Sequence, residues 1–233
     1  MLTPYYQQDN ITIYCGDCRE IKPQLESHDL ILTDPPYAAK SLGGNNFFSK
    51  GAANFYHSRE LRDMNNFNLA DYEDVLYPAN MLIAFHDRNL IRDYSAFITR
   101  VYGNYDLHVW HKVNAIPFTN NTFKSDIEYI SQGYISGRRN LAKGLPQHEM
   151  SKVYSSGIDT ENLHPCQKPL PLIMKYIRIL QPSSILDPFM GSGTTLVAAK
   201  RCGISAIGIE INEQYCEIAV KRLAQSVMPL GVI

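Results

Sequence analysis

The sequence predicts an α/β fold, built on a doubly wound and mostly parallel sheet. Short apolar runs alternate with helix-like segments along the chain, and this alternation is most regular in the carboxy-terminal third. Strands that alternate with helices favour a parallel sheet with helices on both faces. A length of 233 residues suits one hydrophobic core, because a domain of this size buries enough surface without dividing. We therefore expect residues 1–233 to form a single domain.

Five apolar runs predict the strands of the amino-terminal part. Each run is short and is followed by polar residues or glycine, as expected where a strand gives way to a loop. The runs are Ile11–Tyr14, Leu30–Thr33, Met81–Phe85, Leu107–Trp110 and Ile127–Ile130. A helix-like stretch lies between the first two runs, so the chain is expected to begin with a strand, a helix and a strand.

The carboxy-terminal third alternates helix and strand without interruption. Helical periodicity, a proline at a helix start and a glycine at a helix end mark the boundaries. The predicted elements are a helix over Leu170–Leu180, a strand over Ser184–Leu186, a helix over Thr194–Arg201 that Gly203 ends, a strand over Ala206–Ile211 and a helix over Glu213–Ala224. This part of the chain therefore predicts the crossovers of a parallel sheet.

Acidic residues close five of the predicted strands. They are Asp17, Asp34, Asp87, Asp187 and Glu210. In open α/β sheets, ligands bind beyond the carboxyl ends of the strands. We therefore expect these side chains to share one rim of the sheet and to mark the ligand site.

Two polar stretches, Ala38–Asp71 and Ser131–His164, lack periodicity and predict long loops. Long loops in a compact domain usually bind or cover something. The net charge of −1 argues against binding nucleic acid by overall charge alone. Charge is uneven, however, because Ala38–Arg62 and Ser131–Lys152 each carry four basic residues and one acidic residue. These segments either contact phosphates or are solvated loops.

The first ten residues show neither the basic start nor the apolar run of a signal peptide. The sequence also lacks an apolar run of about eighteen residues, the minimum for a membrane span, so we expect a cytoplasmic protein without a membrane partner. Its five cysteines are then expected to be reduced thiols. Cys15 and Cys18 are spaced like zinc ligands, but no second pair completes such a site, and we expect no metal.

The first candidate site is Ile185–Thr194, a predicted strand that runs into a glycine turn and opens a helix. Glycines let the backbone approach a ligand, and a helix start presents free N–H groups to an anion. A phosphate-binding loop needs a lysine after Gly193, and Leu196 stands where a dinucleotide site has its third glycine. Glu210 could accept both hydroxyls of a ribose, or be a solvated strand-end charge. The pattern predicts a nucleoside-containing cofactor with an anionic end.

The second candidate site is Asp34-Pro35-Pro36-Tyr37, directly after a predicted strand. Two prolines make the turn rigid, which fixes the direction of the Asp34 side chain and the Pro35 carbonyl. Two acceptors on the N–H groups of an aromatic amine favour the pyramidal form of its nitrogen, which can attack a methyl group. Tyr37 would stack on an extruded base. The alternative is a merely structural turn.

Together, Asp34–Tyr37 and the run Phe189-x-Gly191-x-Gly193-Thr194 resemble the amino-methylating DNA methyltransferases. The catalytic tetrapeptide precedes the cofactor glycines, as in the beta group of that family. Further matches are Tyr14–Cys18, Val109–Lys112, Glu128-Tyr129 and His164–Pro169. The resemblance therefore spans nearly the whole chain.

This resemblance implies a Rossmann-like fold that binds S-adenosylmethionine, and methyl transfer to an exocyclic amino group in double-stranded DNA. Asp34 rather than serine before Pro-Pro-Tyr favours N6 of adenine over N4 of cytosine, and a catalytically silent binding module is a third interpretation. The implied cofactor contacts are Phe189, Gly191 and Gly193 at the methionine part, with Asp187 and Thr194 in the same turn, Glu210 at the ribose, Asp17 with Cys18 at the adenine and Lys168 at the carboxylate. The oligomeric state stays open, a homodimer included.

By the same resemblance, target recognition would lie in about residues 131–163, a short segment for the family. The Ala38–Arg62 loop could contribute, because it combines basic residues with four aromatic ones that otherwise would be core. Pro165-Cys166-Gln167 resembles the nucleophile of cytosine-carbon methyltransferases. That nucleophile follows the strand that here carries Asp34, so Cys166 is expected to be incidental.

Overall fold

The computed structural model describes residues 2–36, 67–115, 126–136, 145–157 and 168–225. Nine strands within these residues form one sheet. They are β1 (Tyr6–Gln8), β2 (Ile11–Cys15), β3 (His28–Thr33), β4 (Ala79–His86), β5 (Asn104–Lys112), β6 (Ile127–Tyr134), β7 (Val153–Ser156), β8 (Ser184–Asp187) and β9 (Ser205–Glu210). Their order in the sheet is β1-β2-β9-β8-β3-β4-β6-β5-β7.

The centre of the sheet is parallel. β2, β9, β8, β3 and β4 all run in one direction. β1 and β6 are antiparallel to their neighbours, and β7 is parallel to β5 at the far edge. The predicted mostly parallel sheet is confirmed.

Helices cover both faces of this sheet. They are α1 (Cys18–Ile21), α2 (Ile91–Val101), α3 (Leu170–Leu180), α4 (Thr194–Cys202) and α5 (Glu213–Gln225). Single 3-10 turns lie at Lys22–Gln24, Leu69–Tyr72, Arg88–Leu90 and Gln147–Met150. Successive residues of β3 point to opposite faces, since Leu30 and Leu32 pack with α3, α4 and α5, whereas Ile31 packs with α1 and α2. This arrangement confirms the doubly wound prediction.

Most predicted elements are present, with small shifts at their ends. The α3 helix has the predicted bounds, whereas β9 ends at Glu210 and leaves Ile211 outside the strand. The loop predicted from Ser131 onward is wrong at its start, because β6 continues to Tyr134. Both edges of β6 pair with neighbouring strands, and this pairing holds its polar residues in the ladder. The same predicted loop also contains β7.

Of the other predicted loop, residues 38–66 lie outside the described part of the chain. Its end forms the 3-10 turn Leu69–Tyr72. Four cysteines of the described ranges, Cys15, Cys18, Cys202 and Cys216, carry free thiols. Within the ranges that the structure describes, no helix has the length and apolar character needed to cross a membrane.

Candidate active site

The acidic residues predicted to share one rim do so. β2, β9, β8, β3 and β4 are parallel, so their carboxyl ends lie at the same edge of the sheet. Five acidic residues end these strands or follow them within two residues, namely Asp17, Asp34, Asp87, Asp187 and Glu210. The rim is the place where an α/β sheet binds its ligands.

Asp34 and the glycine turn stand side by side on this rim. β3 and β8 are neighbours in the sheet, and Thr33 Oγ1 donates a hydrogen bond of 2.7 Å to Asp187 Oδ1. Asp34 follows Thr33, and the glycine turn follows Asp187. Pro35 and Pro36 are described, but Tyr37 lies outside the described residues. The two candidate sites predicted from the sequence are thus parts of one site.

A chain of opposite charges, buried at its centre, ends at Asp34. Lys168 Nζ lies 2.5 Å from Asp34 Oδ2 and 2.7 Å from Glu128 Oε1. On its other side, Glu128 Oε2 lies 2.7 Å from Lys112 Nζ. The side chains of Lys168 and Glu128 are 7% and 9% exposed. Lys168 therefore contacts two carboxylates of the protein itself, whereas the resemblance assigned it to the carboxylate of the cofactor.

These groups stay charged in spite of their burial. Burial alone raises the pKa of Glu128, but the ammonium groups of Lys168 and Lys112 outweigh it and lower that pKa below its usual value. Burial lowers the pKa of Lys168, and the carboxylates of Asp34 and Glu128 outweigh it and raise that pKa above its usual value. Sequence reasoning noted Lys112 and Glu128 as family matches without assigning them a role. The contact between Lys112 and Glu128 depends on the β5–β6 register, which pairs Trp110 with Glu128.

The glycine turn joins β8 to α4. Gly191 and Gly193 have φ values of 50° and 80°, in the left-handed region that favours glycine. Gly193 is the N-cap of α4 and supplies no side-chain cap. No described atom lies within 4 Å of a Cβ placed at Gly191, so that side of the turn is open. The turn and the uncapped start of α4 fit the anionic end of a cofactor.

Glu210 links the glycine turn to the end of β9. Its Oε2 accepts a hydrogen bond of 3.0 Å from the Gly191 N–H, and its Oε1 accepts one of 2.9 Å from the Asn212 N–H. Burial raises the pKa of this carboxyl group, although the backbone N–H groups oppose the rise. The carboxylate of Glu210 therefore lies directly beside the glycine turn.

Arg222 of α5 supports the turn from behind, a role that sequence reasoning missed. Its Nη1 donates to the Ser192 carbonyl at 2.6 Å, to Ser192 Oγ at 2.9 Å and to Thr194 Oγ1 at 3.2 Å. Arg222 lies far from the turn in sequence, in the helix that follows β9. No local sequence pattern could therefore have indicated this contact. Hydrogen bonds from a guanidinium hold the backbone of this turn in place.

Asp17 and Cys18 lie next to Glu210, since the Gly16 N–H donates to the Glu210 carbonyl at 2.9 Å. Asp17 caps α1 and forms an ion pair of 2.5 Å with Arg19. Cys18 is buried, and burial raises the pKa of its thiol to about 12. This thiol is therefore a neutral packing group at neutral pH.

Phe189 packs into an aromatic cluster beside the glycine turn. Its ring centroid lies 5.3 Å from that of Tyr72 and 6.1 Å from that of Phe67, both in edge-to-face geometry. The Arg19 guanidinium lies 5.4 Å from the centroid of the Tyr72 ring. The segment that begins at residue 67 thus supports one wall of the site.

Asp187 turns its carboxylate into the protein. Its Oδ1 accepts from Thr33 Oγ1 at 2.7 Å and from the Phe189 N–H at 3.2 Å. Burial raises the pKa of Asp187 from 3.8 to about 6. Of the cofactor residues implied by the resemblance, Asp187 is therefore the one whose contacts mainly organise the turn.

We expect Asp187→Asn to change how stability depends on pH. The folded-state pKa is raised, so the stabilising contribution of Asp187 is full below pH 3.8 and is lost as pH rises through about 6. Relative to the parent, the variant's free energy of unfolding should therefore be about 3 kcal/mol higher at pH 8 than at pH 3.5, because only the parent loses this contribution. Urea unfolding across this range measures it, with Asp93→Asn on the exposed face of α2 as control. A difference that does not change with pH contradicts the prediction.

Comparison with known proteins agrees with this geometry. Residues 28–221 match the model of the N6/N4 DNA methylase family. The chain is 26% identical over 259 residues to the type II methyltransferase M2.LlaDCHI of Lactococcus lactis subsp. cremoris, covering 96% of this chain and 93% of that protein.

Solved structures are similar as well. The M1.HpyAVI–SAM complex has a TM-score of 0.65 and 27% identity, covering 91% of this chain and 98% of its own. The cytosine-N4-specific PvuII DNA methyltransferase has a TM-score of 0.63 at 16% identity, covering 99% and 90%, and shares the fold. Because the family match spans most of the sequence and includes the whole sheet from β3 to β9, this protein belongs to the N6/N4 DNA methylase family.

Proposed function

We propose that this protein transfers a methyl group from S-adenosylmethionine to the N6 amino group of adenine in double-stranded DNA. The observation that carries the proposal is the position of Asp34, which stands beside the glycine turn on the rim of the sheet. Amino methylation requires an acceptor for the amine and a binding site for the methyl donor. The groups proposed for these two roles, Asp34 and the glycine turn, follow the neighbouring strands β3 and β8. The family match supports the reaction class.

The reaction needs an oriented amine. The amino nitrogen of adenine is a weak nucleophile, because its lone pair is delocalised into the ring. Asp34 and the Pro35 carbonyl would each accept one N–H of this group, while Pro36 keeps the turn rigid. The Asp34 carboxylate is also placed to take the proton that the nitrogen releases after methylation. Tyr37, outside the described residues, is proposed to stack on the extruded base.

The cofactor site would use the groups around the glycine turn. S-adenosylmethionine supplies an electrophilic methyl group on its sulfonium sulfur when bound. Glu210 would accept the ribose hydroxyls, and Phe189, Gly191, Gly193 and Thr194 would line the methionine part. Asp17 and Cys18, which adjoin Glu210, are proposed for the adenine end.

The target base is proposed from Asp34. An aspartate rather than a serine before Pro-Pro-Tyr resembles the adenine enzymes, whereas the fold shared with the PvuII enzyme, named as cytosine-N4-specific, makes N4 of cytosine the second candidate. The test is to incubate the full chain with unmethylated double-stranded genomic DNA and labelled cofactor, digest the DNA and identify the nucleosides by mass spectrometry. N6-methyladenine is expected.

Each other product has a definite meaning. N4-methylcytosine would move the activity to the second candidate. 5-Methylcytosine would overturn amino methylation and direct attention to Cys166, which lies outside the described residues. Cofactor binding without any methylated nucleoside would identify a silent binding module.

DNA contact is proposed for the part of residues 131–163 that lies beyond β6, together with the basic Ala38–Arg62 segment. Arg138, Arg139 and Lys143 belong to this set and lie outside the described residues. Since genomic DNA is the proposed substrate, the expected place of action stays the cytoplasm. Assembly as a homodimer stays a prediction.

We expect Glu210→Ala to weaken S-adenosylmethionine binding by about 1–3 kcal/mol, because it removes a charged acceptor for the ribose. It also removes the acceptor of the Gly191 N–H, so the turn itself loses a contact. Calorimetric titration of parent and variant measures the effect. Glu217→Ala, an exposed residue of α5, is the control. An unchanged dissociation constant in Glu210→Ala would remove this residue from the cofactor site.

A further inference from the structure

Four alternating charges form a continuous chain along the rim of the sheet. Asp34 follows β3, Lys168 precedes α3, Glu128 lies on β6 and Lys112 ends β5. The successive contacts measure 2.5, 2.7 and 2.7 Å. Four separate segments of the chain thus meet through charged side chains at the proposed catalytic carboxylate.

The ammonium of Lys168 is committed to this chain. Its side chain is 7% exposed, and its Nζ lies 5.4 Å from the centroid of the Phe85 ring. If Lys168 turned toward another anion, the nearly buried carboxylate of Glu128 and that of Asp34 would both lose a cation. Glu128 would keep the ammonium of Lys112 at 2.7 Å, but moving a buried ammonium away from two carboxylates is still unfavourable.

We propose that Lys168 is a positioning residue for Asp34, that Glu128 and Lys112 hold it in place, and that it is not the ligand of the cofactor's carboxylate. This inference rests on the proposed function, because it takes Asp34 as the acceptor of the amine. It gives Lys168 a different role from the one that the sequence indicated. It also gives a role to Glu128 and to Lys112, for which the sequence indicated none.

The charge balance explains why a chain of four suits the site better than a simple pair. A single ammonium on Asp34 would fix its carboxylate but would also draw its charge away from the amine. Glu128 shares that ammonium, so Asp34 keeps more of its strength as an acceptor. Lys112 in turn balances Glu128, and its Nζ is anchored 4.8 Å from the centroid of the Trp110 ring. The four charges cancel, which leaves no excess charge next to the cationic methyl donor.

The test separates transfer from cofactor binding in the full-length protein. Lys168→Met should lower the single-turnover rate at saturating cofactor and DNA by about a hundredfold, because Asp34 loses its orientation. Glu128→Gln keeps the shape of the side chain and should lower that rate by about tenfold. In both variants the dissociation constant of S-adenosylmethionine, measured by calorimetry, should change by less than about threefold.

Two further variants make the result specific. Lys175→Met removes another buried lysine, whose Nζ donates to the Ser151 carbonyl at 2.7 Å, and should leave both quantities at parental values. In an Asp34→Asn background, Glu128→Gln should cost less than it does alone, since its effect acts through Asp34. Thermal unfolding checks that each variant is folded. If Lys168→Met does not fold, Glu128→Gln and its double-variant cycle decide the question.

The opposite outcome is equally clear. A dissociation constant raised more than about tenfold in Lys168→Met, with the transfer rate at saturation kept, would place Lys168 at the cofactor and overturn the proposal. Equal effects of Glu128→Gln with and without Asp34 would also overturn it. If the parent methylates no DNA, the proposed function fails by itself. The cofactor titration of Lys168→Met then still decides where this ammonium acts.

Discussion

Replacing Asp34 by alanine is expected to slow methyl transfer by about a hundredfold or more, while cofactor affinity stays close to that of the parent. Loss of a positioned acceptor costs about 3 kcal/mol or more of barrier when the reaction depends on it. The residues proposed to hold the cofactor lie on the glycine turn and at Glu210, which belong to the ends of β8 and β9, whereas Asp34 follows β3. The variant therefore separates the two functions of the rim.

The measurement is single-turnover transfer of labelled methyl to DNA, followed by digestion and mass spectrometry of the nucleosides. A cofactor titration without DNA runs beside it. Asp34→Asn belongs to the series because an amide oxygen can still accept one N–H, so its rate should fall between those of the parent and of Asp34→Ala. Asp93→Ala, on the exposed face of α2, should keep the parental rate.

Near-parental transfer by Asp34→Ala would show that the amine is oriented by other groups, and the mechanism proposed for Asp34 would be wrong. A large loss of cofactor affinity would show a different error, namely that Asp34 helps to hold the donor. Both results are readable only if the variant is folded. Removing Asp34 leaves Lys168 with the carboxylate of Glu128, at 2.7 Å, as its neighbouring anion.

The rim was predictable from sequence because its determinants are local. A short apolar run followed by an acidic residue indicates both a strand and its carboxyl end, and this held for Asp34, directly after β3, and for Asp187, the last residue of β8. The bounds of α3 were predictable for the same reason, since a proline start and a helical apolar stripe both occur within one segment.

Elements whose residues lack such a signal were missed. β1 is a three-residue strand of Tyr6-Gln7-Gln8, and it forms because its neighbour β2 offers an edge. β7 pairs with the edge strand β5 in the same way. α2 was missed although its sequence carries a signal, because its buried residues Tyr94, Phe97 and Ile98 recur at helical spacing within a polar segment.

The charged chain at Asp34 could not be predicted from sequence for a different reason. Its contacts depend on the register between β5 and β6 and on the position of the segment before α3. Register is set by pairing and side-chain packing across the sheet, which a linear pattern does not contain. The same holds for Arg222, which reaches the glycine turn from α5.

Gly193→Ala is expected to destabilise the fold by about 2–5 kcal/mol, because two separate costs meet at this residue. Its φ of 80° lies in the left-handed region, which a residue with a Cβ adopts only with strain. An added Cβ would also lie 2.8 Å from Ala219 Cβ and 3.4 Å from Ala219 Cα. Ala219 is buried on α5 and has no rotamer that could relieve the contact.

The chain offers a matched control that separates the two costs. Gly203 has a similar φ of 70°, but no described atom lies within 4 Å of a Cβ placed there. Gly203→Ala should therefore lose only the backbone term, about 1–2 kcal/mol, and should bind cofactor like the parent. Gly193→Ala should also weaken S-adenosylmethionine binding by about tenfold or more. The substitution displaces the glycine turn, which contacts Glu210 through the Gly191 N–H and leads into α4.

A compensating variant tests the cause of the larger loss. Ala219→Gly removes the atom that the new Cβ would meet, at a cost of about 1 kcal/mol in the helix interior. Combined with Gly193→Ala it should recover part of the stability and part of the cofactor affinity, so the two changes should be less than additive. Urea unfolding and calorimetric titration of the four proteins measure both quantities. If Gly193→Ala costs no more than Gly203→Ala, α5 moves aside without penalty, and the close approach of turn and helix is not what shapes the cofactor site.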